Sequence, residues 1–253
     1  MKIVTISGAN KDIGKSSLAA YVIEHCRDCS AAKFTMHEEQ PQGPPIVAEQ
    51  PGEKPGSDTA RMMAAGADPV LWVRSTPATL DQEIEEALAR MTGKVAVLEG
   101  NSILGHLQSD YAIFIMNPTF EDFKPSAWLA LERADVVLVN GSQPVDGEAA
   151  LLLERRCKEH NPRVKMLFSS DRGREAAWSI ILSRIVGRVG GEHFVEDLDP
   201  RIVEKVQQEA VDGRIACGVA LKIAEELGVP SREVGRTANQ LKIKIANCSL
   251  GCF

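Results

Sequence analysis

Apolar residues along this chain fall into short runs separated by longer amphipathic stretches. Residues 2–7 (KIVTIS), 31–35, 70–74 (VLWVR), 95–98, 111–116, 136–139 and 164–168 are runs of strand length. Apolar side chains at successive positions, rather than alternate ones, are the pattern of strands buried on both faces. Between them, residues 15–26 and 59–65 read as helices, and residues 80–91 carry the 3.6-residue period of an amphipathic helix. This alternation predicts an α/β fold, a mainly parallel sheet flanked by helices. Two segments depart from it. Residues 38–56 are rich in Pro, Gly, Gln and Glu and read as a long loop, which within a compact domain is functional or mobile. Around residues 187–191 (GRVGG) the composition shifts, which places one domain over residues 1–188 and a small helical one over 192–253.

Composition narrows the function classes. With 253 residues, 44% hydrophobic and 25% charged, the chain can bury a full core and carry a small second domain. A net charge of −6 argues against a broad nucleic-acid footprint. No apolar run approaches membrane-spanning length, and the N-terminal residues enter a strand with neither a charged n-region nor a cleavage site. The expected compartment is the cytoplasm, without membrane association. There, six cysteines are expected as thiols or metal ligands rather than disulfides.

The chemistry concentrates where the first strand meets the first helix. The segment Ala9, Asn10, Lys11, Asp12, Ile13, Gly14, Lys15, Ser16, Ser17 contains a Walker A motif, with Ala where Gly is commoner. A loop of this spacing curls so that its backbone N–H groups converge on phosphates at the positive end of the helix. Gly14 permits close backbone approach, Lys15 reaches the outer phosphates as a catalytic residue, and the Ser16 hydroxyl suits Mg²⁺. Glu99, ending the strand of residues 95–98, is placed to hold the same ion or its water, with Asp58 as a further metal candidate. Asp58 also reads as the N-cap of the helix that follows. Asn140, at the end of another strand, is a candidate for reading the base, with Ser169, Ser170 and Asp171 nearby; all four also suit loop capping. GTP and ATP both remain open on these residues. Asn101, Asp122 and Lys124 are candidates for facing whatever binds beside the γ-phosphate.

The order of these motifs carries a resemblance. The Walker loop, then KFTMH (33–37), PGSD (55–58) with the run DTARMMAAGA, and LEG (98–100) resemble the molybdopterin-guanine dinucleotide biosynthesis adaptor proteins over roughly the first 150 positions. That likeness implies a GTP-binding accessory protein, a slow NTPase with Mg²⁺, working with a cofactor-biosynthesis partner. The His-rich segment of that family is thin here, with only His37 near Lys33, and the chain is longer. More distantly the sequence resembles dethiobiotin synthetase, which implies an ATP-dependent ligase or kinase with Lys33 catalytic beside a small substrate.

The last sixty positions are harder to read. The stretch IAEELGVPSREVGRTANQLKIKI resembles a helix-turn-helix. From Phe194 to Phe253 there are nine acidic and eight basic residues, so DNA binding is disfavoured, although Arg232, Arg236, Lys242 and Lys244 form a local basic set. Cys217, Cys248 and Cys252, with His193, are candidate ligands for zinc or an iron–sulfur cluster. A third expectation is therefore a nucleotide-gated regulator with a DNA- or metal-binding tail. Homodimerisation is a further candidate. The CxxC at Cys26 and Cys29 sits at a helix end without a second pair and reads as structural.

Overall fold

The computed structural model describes residues 1–50, 56–119, 123–191, 199–211, 213–229, 231–241 and 243–246. The chain divides into two compact units, Met1–Val195 and Glu196–Phe253.

The first unit is built on β1 (Lys2–Gly8), β2 (Cys29–Met36), β3 (Ile46–Ala48), β4 (Val70–Ser75), β5 (Val95–Glu99), β6 (Tyr111–Met116), β7 (Val136–Asn140) and β8 (Lys165–Ser169). They form one sheet in the order β3-β4-β2-β5-β1-β6-β7-β8. Every pairing is parallel except β3 with β4. Among the described residues, six helices cover it: α1 (Lys15–Glu24), α2 (Asp58–Ala64), α3 (Leu80–Arg90), α4 (Pro125–Glu132), α5 (Gly147–His160) and α6 (Arg174–Val189). One face packs on α1, α2 and α6 through Leu18, Val22, Met62, Ile181 and Ile185. The other packs on α4 and α5, and on α3 further along. All residues of β5 and β6 are buried, the mark of strands covered on both faces. This is the α/β architecture of a P-loop NTPase.

The connection order places the first loop. β1 lies mid-sheet between β5 and β6; the chain leaves it through α1 toward β2 on one side and later returns to β6 on the other. At such a switch point the loops at the C-terminal strand ends diverge and leave a crevice. The loop after β1 opens into it.

Three observations revise the sequence-based picture. Within residues 38–56 the short β3 pairs antiparallel with β4, Ile46 lying opposite Val73. The composition break at residues 187–191 contains the end of α6, although the buried Ile185 and Val189 carry the helix through Gly187 as far as Val189. Asp58 does not cap its helix: Ser57 does, its hydroxyl accepting from the Ala60 N–H at 3.1 Å.

The second unit holds α7 (Pro200–Glu209), α8 (Cys217–Leu227) and α9 (Ser231–Gln240) around Ile202, Val206, Ile223 and Val234. Gly228 ends α8 in the left-handed conformation, φ 65°, and turns the chain toward α9. Two short strands that pair in parallel, β9 (Arg214–Ala216) and β10 (Lys244–Ala246), accompany the helices. Among the described residues, no helix is long and apolar enough to cross a membrane.

Ile113 is fully buried in β6 against the α1/α6 layer. We predict that Ile113→Ala costs about 2–5 kcal/mol of stability, measured by urea unfolding. Leu151→Ala, at a position 66% exposed on α5, should stay within about 0.5 kcal/mol of the parent.

Candidate functional site

The loop from β1 to α1 is shaped by two left-handed residues, Asp12 at φ 57° and Gly14 at φ 98°. Aspartate tolerates that region better than most side chains, and glycine adopts it freely. At Gly14 a β-carbon would also stand 3.1 Å from the Asn140 amide nitrogen. Hydrogen bonds hold the loop at both ends. The Ala9 N–H donates to the Ile115 carbonyl at 2.8 Å, continuing the β1–β6 ladder. The Asn101 side chain grips the Gly8 residue twice, accepting from its N–H at 2.9 Å and donating to its carbonyl at 3.0 Å. The Asn140 amide donates to the Ile13 carbonyl at 2.9 Å, and its oxygen accepts from the Ser169 hydroxyl at 3.4 Å. Asn10, Lys11, Asp12 and Ser17 are exposed along the rim, while Ala9, Ile13 and Ser16 are buried.

Charged groups gather beneath the loop. The Ser16 hydroxyl donates to the Glu99 carboxylate at 2.8 Å, and both residues are buried. The Lys15 ammonium donates to the Asn10 carbonyl at 2.5 Å. Burial pushes Lys15 below lysine's ordinary value; Glu99 pulls it back up, and Lys33 adds to the depression. Lys33 pairs with Asp58 and stands 3.8 Å from Glu99. Register explains this meeting. Lys33 lies opposite Glu99 on one side and Trp72 on the other. Two residues earlier on the same strands, Ala31 and Val97 are buried beneath the helices of that face. Alternation therefore turns Lys33 and Glu99 to the same face, one step beyond that apolar cluster.

A cavity of about 1070 Å³ opens over these groups. Its walls include Ser16, Lys15, Lys33, Asp58 and Glu99, and also Thr35, Glu49, Arg61, Trp72 and Lys124. The Trp72 indole N–H donates to the Thr35 hydroxyl at 3.0 Å. Glu49, Arg61 and Trp72 were not singled out from the sequence. A signal existed for Trp72, which repeats the Lys33 position on the neighbouring strand, but none for Glu49, which lies in the long loop. Asn101 lines the cavity while its amide also clamps the Gly8 backbone, and Lys124 lines the wall too. A smaller hollow of about 460 Å³ lies beside Asn140, lined by Asn117, Pro118, Gln143 and Asp146. Asp171 is not part of it and pairs with Arg174 at 2.5 Å.

Cys217 starts α8, while Cys248, Cys252 and His193 fall outside the described residues, as do Asp122, Lys242 and the side chains of Arg232 and Arg236. Among the described residues, no three His, Cys, Asp or Glu side chains are grouped to hold a metal ion.

Comparison with models of known protein families gives no match, and comparison with curated proteins gives none. Among solved structures the chain is similar to HypB from Helicobacter pylori, solved in complex with nickel, at 8% identity and a TM-score of 0.47, covering 78% of this chain and 90% of that one. It is also similar to the hydrogenase maturation factor HypB from Archaeoglobus fulgidus, at 17% identity and a TM-score of 0.47, over 75% of this chain and 91% of that one. A LAO/AO transport system kinase aligns over 95% of this chain and 81% of its own, at 15% identity and a TM-score of 0.39. The fold assignment rests on the strand order and the loop, not on these likenesses.

Removing the Asn101 side chain would leave the Gly8 N–H and carbonyl without those partners. We predict that Asn101→Ala lowers stability by about 1–3 kcal/mol in urea unfolding, with an unchanged denaturant slope.

Proposed function

We propose that this chain binds a Mg²⁺-nucleotide on residues 9–17, with GTP favoured over ATP, and acts as an accessory protein in molybdenum cofactor maturation with slow, partner-stimulated hydrolysis. The observation that carries the binding reading is the buried hydrogen bond between Ser16 and Glu99 directly beneath a Walker-type loop. Hydroxyl and carboxylate oxygens are the hard donors that Mg²⁺ prefers, so the residues present fit the ion. Ser16 and Glu99 would hold it, with Asp58 nearby. When bound, Mg²⁺ neutralises charge on the outer phosphates.

The chain's own groups supply the rest. Backbone N–H groups around Asn10 to Ser17 and the N-terminus of α1 receive the phosphates. Lys15 exchanges its contact with the Asn10 carbonyl for a phosphate oxygen. Lys33, already held beside Glu99, offers a second positive charge as negative charge develops in transfer. Asn140 keeps the loop in register with the smaller hollow, which supports a place for the base there. The pathway assignment is supported by the motif order over the first 150 positions, GTP preference included. The cavity beyond Lys33 favours a second reading, a ligase or kinase of the dethiobiotin synthetase type, in which a small acceptor enters against Arg61 and Lys124.

One comparison separates these readings. Thermal unfolding is followed with GTP and with ATP, each with and without Mg²⁺, for the parent and Lys15→Ala. A nucleotide at about 100 times its dissociation constant should add roughly 2.7 kcal/mol. Mg²⁺-dependent stabilisation selective for GTP and lost in Lys15→Ala is the expected result. Selectivity for ATP would favour the ligase, and no stabilisation by either would sink the binding proposal.

The depressed Lys15 gives a pH signature. Its protonated form is disfavoured in the fold, so stability from this group rises as pH climbs from the lowered value toward 10.5. An adjacent polyphosphate favours the protonated form and restores the proton. Nucleotide binding should therefore take up protons onto Lys15 within that window and none well below it. Calorimetry in buffers of different ionisation enthalpy reads this directly, and the uptake should vanish in Lys15→Met.

A further inference from the structure

The CxxC at the foot of α1 acquires a different meaning once folded. Cys26 follows the last turn of α1, its N–H donating to the Ile23 carbonyl at 2.8 Å. Cys29 opens β2, with its carbonyl accepting from the Asp68 N–H at 2.8 Å and that of Asp28 accepting from the Val95 N–H at 3.1 Å. The turn between the two cysteines is thus fixed to the helix on one side and to the sheet on the other. Both thiols enter the same apolar cluster, Cys29 within it at 5% exposure and Cys26 packed against it and half-buried. There the Cys29 thiol donates to the Ser30 carbonyl at 3.4 Å.

Two thiols three positions apart across a fixed turn and sharing one apolar cluster, one reachable and one sheltered, form an arrangement suited to reversible oxidation. We propose that Cys26 and Cys29 are a redox-active dithiol that closes to an intramolecular disulfide on reaction with a low-molecular-weight disulfide such as oxidised glutathione. The Cys26 thiolate attacks one sulfur of glutathione disulfide, forming a mixed disulfide and expelling one glutathione thiolate. Cys29 then attacks the Cys26 sulfur, the mixed disulfide breaks, and the second glutathione leaves. The two cysteines lose two electrons and two protons. The glutathione disulfide gains both electrons, and the protons go to its two thiolates. The order follows from access, since the reagent reaches Cys26 and not the buried Cys29. The contact with Cys26, with burial adding to it, holds the Cys29 thiol above its ordinary value. Cys157, fully buried and pushed up to about 11 by burial, is an internal control that should not react.

The sequence provides its own assay, because Arg27 stands between the two cysteines and Lys15 and Lys33 bound them. Trypsin places Cys26 and Cys29 on separate peptides, so a disulfide between them is seen as one linked pair. The full-length protein is equilibrated across ratios of oxidised to reduced glutathione, quenched in acid, alkylated while unfolded, digested and analysed by mass spectrometry. The linked pair should appear as oxidised glutathione increases and disappear on return to reduced glutathione. Cys26→Ser should abolish it, while Cys29→Ser and the apolar Cys29→Ala should both accumulate a glutathione adduct on Cys26. The proposal is overturned if both peptides stay fully alkylated in oxidised glutathione alone. It is equally overturned if Cys26 pairs with another cysteine, or if neither Cys29 variant retains the adduct.

Discussion

The Ser16 hydroxyl reaches the Glu99 carboxylate across 2.8 Å because a helix start and a strand end are brought to the same point of the sheet. Ser16 sits in the first turn of α1 and Glu99 is the last residue of β5, which pairs directly with β1. A one-residue slip between β1 and β5 would carry Glu99 to the wrong face, since side chains alternate along a strand. A buried carboxylate is costly without partners, and here the hydroxyl on one oxygen and the Lys33 ammonium toward the other supply them. The same alternation that hides Ala31 and Val97 in the core delivers Lys33 and Glu99 to the cavity above it.

An irregular loop between two regular elements has backbone groups that neither the ladder nor the helix can satisfy. Two asparagines from elsewhere in the chain do so. Asn101, following β5, holds Gly8, and Asn140, ending β7, holds Ile13. The loop is thereby fixed by the sheet at two points, which limits the ordering cost left for a ligand.

The fold was legible where burial dominated. β6 has the bounds expected from its apolar run, and β5 and β7 each extend one residue further, to Glu99 and Asn140. β3 was not, because three residues in a Pro- and Gly-rich stretch carry no period; their pairing depends on β4, some twenty positions away. β9 is hidden for the same reason, as it exists through its register with β10. At residues 187–191 the shift in composition falls where α6 ends, at Val189, two buried aliphatic side chains having carried the helix past Gly187 despite the weak helix propensity of glycine. In the site, the loop, Lys33, Asp58 and Glu99 stand around one cavity; the loop, Asp58 and Glu99 had been singled out from residue type and spacing, and Lys33 from the resemblance to dethiobiotin synthetase. The clamping role of Asn101 and the presence of Glu49 in the wall were not readable, since both depend on distant segments meeting.

The two borders of the sheet are unlike, with a consequence for how folded copies meet at high concentration. On one side the run ends in β3, a three-residue strand of reversed direction that follows Pro44 and Pro45 and leaves little free ladder. On the other, β8 offers five residues of outward-facing backbone, with Phe168 37% exposed and a single charge at Lys165. Unpaired ladder groups flanked by apolar side chains are templates for another chain, whereas short reversed strands blunt them. Self-association through this sheet would therefore start at β8, giving adhesion a direction and leaving the β3 border, beside the cavity over Lys33 and Glu99, open.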